Sequence, residues 1–147
     1  MTRRHLLVAA LASCFLAVPA AWAQDKPAAA CPENARDIPT QSFYGSWEAR
    51  IEGQAGIATM VLERHPEYDG FRGTLKRAGQ PPAQLAGDID PDGQLALDES
   101  QDGKSISASW SGALVPGTCG KEFKGTWYRS SDDSSHDFVL HRSGSWR

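Results

Sequence analysis

From Phe43 onward the chain alternates. Apolar and polar residues trade places over short segments, and clusters of Gly, Pro, Asp and Ser separate them. That period and that punctuation belong to strands rather than helices. Eight such segments can be marked out, at 45–52, 57–64, 71–77, 84–89, 94–99, 106–115, 122–129 and 137–142. In the first, Trp47, Ala49 and Ile51 share one side while Glu48, Arg50 and Glu52 share the other. The same parity groups Phe71, Gly73 and Leu75 in the third. It groups Ile106, Ala108, Trp110, Gly112 and Leu114 in the sixth, Phe123, Gly125 and Trp127 in the seventh, and Phe138 and Leu140 in the eighth. One apolar face per strand covers a core from one side only.

Eight consecutive short strands with brief links predict an all-β fold, an antiparallel up-and-down eight-stranded barrel, because closure removes the exposed edges of an open meander. Gly73, Gly87, Gly112 and Gly125 fall at inward positions, where a missing side chain lets a strand bend or leaves room for Trp47, Trp110 or Trp127. The barrel domain is expected over 43–143, with a flexible arm at 24–42 that is rich in Ala and Pro and has no buried face of its own. A tail follows at 144–147, where a second Gly-Ser-Trp repeats the letters of 45–47 outside any strand.

Ahead of the arm, Arg3 and Arg4 precede an apolar run at 6–18 that ends in the small-x-small pattern Ala21-Trp22-Ala23. This predicts a cleaved signal peptide at 1–23 and a periplasmic or secreted protein. The run is shorter than the roughly 20 residues of a spanning helix. The paired arginines leave general secretion and twin-arginine export both open. Leu11 to Cys14 has the letters of a lipoprotein box, but the apolar run continues past the cysteine. Cleavage would remove 23 of 147 residues and two of the 15 Lys and Arg but no acidic residue, moving the formal charge from −3 to −5. An acidic balance argues against nucleic acid as a partner.

Of the three cysteines, Cys31 and Cys119 would survive cleavage, and in an exported chain they most simply form a disulfide. The predicted topology agrees. The entry to the first strand and the link between the sixth and seventh lie at the same end of an up-and-down barrel, so the bond would tie the arm across that end.

With Gly45-Ser46-Trp47 on the first strand and Arg142 ending the last, the chain resembles the calycins, the barrels that include lipocalins and avidins. The resemblance implies that Arg142 packs over the Trp47 indole at the closed end, a cation–π contact worth roughly 0.5–2 kcal/mol. The segments Ser109-Trp110-Ser111-Gly112 and Gly125-Thr126-Trp127-Tyr128 look like the tryptophan strands of avidins. Biotin binding is not implied, because Ala49 and Gly53 stand where the avidin pattern has polar ligands.

No constellation of an enzyme emerges, and no cofactor is implied. Of the histidines that would remain after cleavage, His136 and His141 fall on opposite faces of one strand and His65 precedes a proline, so these three are expected at the surface. The strand parity does turn two charges inward. Glu99 continues the face of Leu95 and Leu97, and Arg129 that of Phe123 and Trp127, both at the end opposite the disulfide. A charge there must be solvated, paired or bound to a ligand. Glu99 and Arg129, with Trp110 and Trp127 below, are thus candidates to line a small-molecule pocket. The alternative is that both lean out into water.

The stretch from Asp88 to Glu99 also spells an EF-hand loop, with Asp88, Asp90 and Asp92 at the first three ligand positions. Pro81 and Pro82 exclude the helix such a loop needs before it. Asp90-Pro91-Asp92-Gly93 reads instead as a hairpin turn, leaving at most a weak calcium site on the three carboxylates. Two functions stay open at this point. One is a binder of a small apolar or aromatic ligand inside the barrel. The other is a periplasmic protein–protein module, such as an inhibitor or an envelope-associated subunit.

Overall fold

A computed structural model describes residues 30–143. The expected signal peptide at 1–23, with Cys14, the first residues of the expected arm and the expected tail at 144–147 lie outside the described residues. The alternation resolves into eight strands: β1 Gly45–Ile51, β2 Ala58–Arg64, β3 Phe71–Lys76, β4 Ala83–Ile89, β5 Gln94–Ser100, β6 Ala108–Leu114, β7 Glu122–Arg129 and β8 Ser134–Arg142. Each pairs antiparallel with its neighbours in sequence, and β8 returns to β1 with Trp47 opposite Arg142 and Ile51 opposite Phe138. The barrel is closed, and among the described residues no strand edge is left unpaired.

The barrel is filled. Trp47, Met60, Leu62, Phe71, Leu75, Leu95, Leu97, Trp110, Phe123, Phe138 and Leu140 are all fully buried, and they come from seven of the eight strands. Aromatic rings run along the axis: Trp47 lies 5.9 Å from Phe123, and Trp110 lies 5.0 Å from Phe138 and 6.2 Å from Trp127. Gly112 and Gly125 face each other across β6 and β7. A Cβ at Gly112 would sit 2.7 Å from the Phe138 ring, so the space that this glycine opens is taken by Phe138 rather than by a tryptophan.

Two strand limits move by more than one residue from the expectation, each for a local reason. β6 starts at Ala108, and Ile106 is 54% exposed rather than inward. The Asp102 carboxylate accepts the backbone N–H groups of Lys104 and Ser105, which holds the preceding loop in a turn past the point where pairing would have begun. β8 starts at Ser134, opposite Arg129 and three residues before the expected start. There the link shortens to 130–133, because Asp133 takes a positive φ of 54° and Asp132 accepts the Ser134 N–H.

The arm is also corrected over 30–42. It has a buried face: Ala35 is 1% exposed and Ile38 packs on the core, as does Phe43 immediately after it. Two short 3-10 turns, Ala35–Asp37 and Thr40–Phe43, fold it across the barrel end. Asn34 caps the first turn, Arg36 donates to the Pro91 carbonyl, and Cys31 is bonded to Cys119 with 4.7 Å between Cα atoms. Ala and Pro in the arm mark a chain that borrows its partner surface from the barrel, which composition alone does not reveal.

The contact implied by the calycin resemblance is present at this closed end. The Arg142 guanidinium lies 5.7 Å from the Trp47 ring centroid and donates to the carbonyls of Ser42 and Tyr44. The Trp47 indole N–H donates to the Phe43 carbonyl at 2.8 Å. Strand one and strand eight thus hold the plug through the same two side chains.

Candidate functional site

The open end of the barrel carries the links at 52–57, 77–82, 101–107 and 130–133. Alternation along β3 turns Phe71, Gly73 and Leu75 inward, and the next residue with that parity is Arg77, just past the end of the strand. On β5 the same rule places Leu95, Leu97 and Glu99 inward. The two strands flank β4, so the inward curvature of the sheet brings the two charges together above it. Arg77 Nη1 donates to Glu99 Oε1 at 2.6 Å, and Nη2 to Oε2 at 2.7 Å, in a bidentate pair.

The carboxylate is 2% exposed, so its charge must be matched inside the protein. Besides Arg77, the indole N–H groups of Trp110 and Trp127 each donate to Oε2 at 3.3 Å, and Gln101 reaches Oε1 at 3.4 Å. The Arg77 guanidinium lies 5.0 Å from the Trp127 ring and 5.9 Å from Trp110. Glu99 therefore fixes two tryptophans and one arginine in a floor beneath the barrel mouth. With donors on both oxygens, it has no acceptor left to offer a ligand.

Burial alone would push the Glu99 carboxyl up. The hydrogen bonds and charge of Arg77, then the bonds from Trp127 and Trp110, outweigh burial and hold it below its ordinary value. In the interval between an ordinary carboxyl near about 4.3 and that lower folded value, the unfolded chain binds more protons than the folded one. The pair's contribution is complete above that ordinary value and is lost as pH falls through the folded one. Melting temperature measured from pH 6 to pH 2 should thus fall more steeply for the native chain than for Glu99→Gln. Equal acid slopes would show that the carboxylate carries none of the acid sensitivity.

Above the floor lies a vestibule of about 470 Å³, lined by Gln54, Gln80, Gln101, Ile106, Ser107, Ala108, Ser130 and Ser131 together with Arg77, Glu99, Trp127 and Arg129. Side chains from all four mouth links contribute. Of the residues expected to form a pocket, Glu99, Trp110 and Trp127 come together in one hydrogen-bonded group. Trp110 is sealed beneath the floor at 1% exposed and does not line the vestibule. Arg129 stands apart at the rim. It lies 5.8 Å from the Trp127 ring and pairs with Asp132, where Nε donates to Oδ1 at 3.0 Å and Nη2 donates to Oδ2.

Arg77 was missed by the sequence reading, although the alternation of Phe71, Gly73 and Leu75 points to it. His136, expected at the surface, is half-buried at the mouth, with its ring 5.8 Å from Trp127. His65 stacks on Tyr68 at 3.7 Å, and His141 lies 3.3 Å from Glu122.

The EF-hand letters form the β4–β5 hairpin. Asp90 Oδ1 accepts the N–H groups of Asp92 and Gln94, both at 2.9 Å, and Gly93 takes a positive φ of 82°. A turn that consumes the central carboxylate this way leaves Asp88, Asp90 and Asp92 without a common focus. Among the described residues no group of three or more His, Cys, Asp and Glu is placed to hold a metal ion. Nor is any described helix long and apolar enough to cross a membrane. No protein-family model, no curated protein and no solved structure matches the chain.

Proposed function

We propose that the protein is an exported, calycin-like binding module that takes a small ligand in the mouth vestibule, not inside the barrel. The observation that carries this reading is the concavity of about 470 Å³ resting on the Arg77–Glu99–Trp110–Trp127 floor. Its size falls in the range of small-molecule sites, and it mixes apolar surface with a few hydrogen-bonding groups on a rigid base. The buried inward side chains, from Trp47 to Leu140, fill the lumen and so support a site at the mouth over a deeper one.

Several features support the wider picture. The Trp47–Arg142 contact fits the calycin resemblance. The Cys31–Cys119 bond fits an oxidising compartment such as the periplasm. A binding role rather than a catalytic one fits a mouth whose buried carboxylate is fully hydrogen-bonded and so is a poor general base.

Small aromatic fragments titrated into isotope-labelled protein test the site. Amide and indole resonances of Ile106, Ala108 and Trp127 should move, while the methyl groups of Met60 and Leu140 stay fixed. Shifts confined to the interior methyls, or no shifts with any fragment, would defeat the reading. The filled interior favours one competing role, a protein–protein module that uses the mouth links as its contact surface. It predicts capture of an envelope protein in a pull-down, and loss of that capture when links 101–107 and 130–133 are shortened.

A further inference from the structure

We propose that the vestibule selects a small monoanion, a carboxylate attached to a compact apolar body, and that Arg129 reads its charge. The inference rests on the vestibule being the binding site and adds the sign of the ligand.

Three charged side chains line the cavity: Arg77, Arg129 and Glu99. Glu99 is 2% exposed, and both its oxygens are occupied by donors, so it presents no acceptor to the vestibule. The remaining polar lining is amides and hydroxyls, which carry no charge. Counted over the lining alone, with Asp132 outside it, the charge is therefore positive in a chain whose overall formal charge is −3.

Arg129 has capacity to spare. A guanidinium carries five N–H donors in a flat fork. The bonds of Arg129 to Asp132 use Nε and Nη2. The edge made by Nη1 and the second Nη2 hydrogen keeps a pair of parallel donors, spaced for the two oxygens of a carboxylate. The pair with Asp132 is itself weakly held, because the side chains are 37% and 46% exposed. A ligand that shields Arg129 from water gives it a better partner than Asp132 does. Arg77 adds its positive charge at the floor, with both terminal nitrogens already bonded to Glu99. Beside these donors Ile106 is 54% exposed, an apolar contact available to the body of the ligand.

Benzoate and its neutral isostere benzamide test the charge. Binding to the full chain is measured by calorimetry and by Trp127 indole shifts at low and moderate salt. Benzoate should bind at least about tenfold tighter than benzamide, with the advantage shrinking as salt rises. Arg129→Gln should remove the preference while leaving the melting temperature near that of the native chain. Asp132→Asn frees Arg129 and should strengthen benzoate binding severalfold. Equal binding of both probes, or a preference that survives Arg129→Gln, overturns the charge assignment and leaves the vestibule as the site. If neither probe binds or moves the Trp127 resonance, the charge assignment and the vestibule reading fall together.

Discussion

Replacing Arg77 by Met is expected to cost about 3–5 kcal/mol at neutral pH, the usual consequence of removing one partner from a buried ion pair. The change leaves the Glu99 carboxylate, 2% exposed, with two indoles and Gln101 as its only donors. With Arg77 gone, the upward push of burial is no longer opposed by a charge, and the carboxyl should titrate above its ordinary value. A group raised on folding favours the protonated folded state, so the penalty should shrink as pH falls from 7 towards 4. That is opposite in sign to the acid response of the native pair. Combining Arg77→Met with Glu99→Gln removes the charge and keeps an oxygen acceptor for the indoles, and it should recover a large part of the loss. Urea unfolding of the four proteins at pH 7 and pH 4 measures all of this. A loss under about 1 kcal/mol for Arg77→Met, constant across that range, would mean that the floor is not held by this pair.

Converting Cys31 and Cys119 together to Ser is expected to cost about 2–5 kcal/mol, because the bond closes a loop between residues 88 apart in sequence. The effect should be larger at the closed end than in the barrel walls. The disulfide holds an arm whose contribution to the core is Ala35, with Ile38 beside it and Phe43 following. Those few contacts are a small return for ordering so many residues. Limited proteolysis should therefore cut the double variant first within 32–42, while the native chain resists. Hydrogen exchange should show early opening of the N–H groups of Asp37 and Ile38, which bond to Asn34 and Ala35. Unchanged stability together with an arm still protected would show that packing alone holds the plug.

Both predictions concern places where local pattern and tertiary contact meet, and they show what could be read in advance. The face of Glu99 followed from Leu95 and Leu97. The same rule, carried to the last residue of the third segment, 71–77, would have given Arg77, but a charged residue at a strand end reads most simply as one that turns out to water. Arg129 shows the limit of parity. Alternation fixes the direction in which a side chain leaves the backbone, but a long side chain ends where its best partner is. For Arg129 that partner is Asp132, placed by the tight turn at 130–133. Ile106 shows the same limit for apolar residues, because Asp102 bends the backbone before the alternation can be used.

What the sequence determined by itself was the count of strands, the face each turns to the core, their order, and hence the ends to which Cys31, Cys119, Glu99 and Arg129 belong. These follow from the two-residue period of a strand and the short links between strands, which are local properties of the chain. Only the tertiary structure decided that the lumen is filled, that the arm is a plug, and that Glu99 is spent on Arg77, Trp110 and Trp127 rather than left for a ligand. Those facts depend on the assembled sheet. Arg77, just past β3, and Glu99 on β5 are 22 apart in sequence and belong to elements that do not pair, and they meet because both flank β4 in a sheet curved around the lumen. Volume and charge inside a barrel are balanced over all of its strands at once, and no single segment carries that sum.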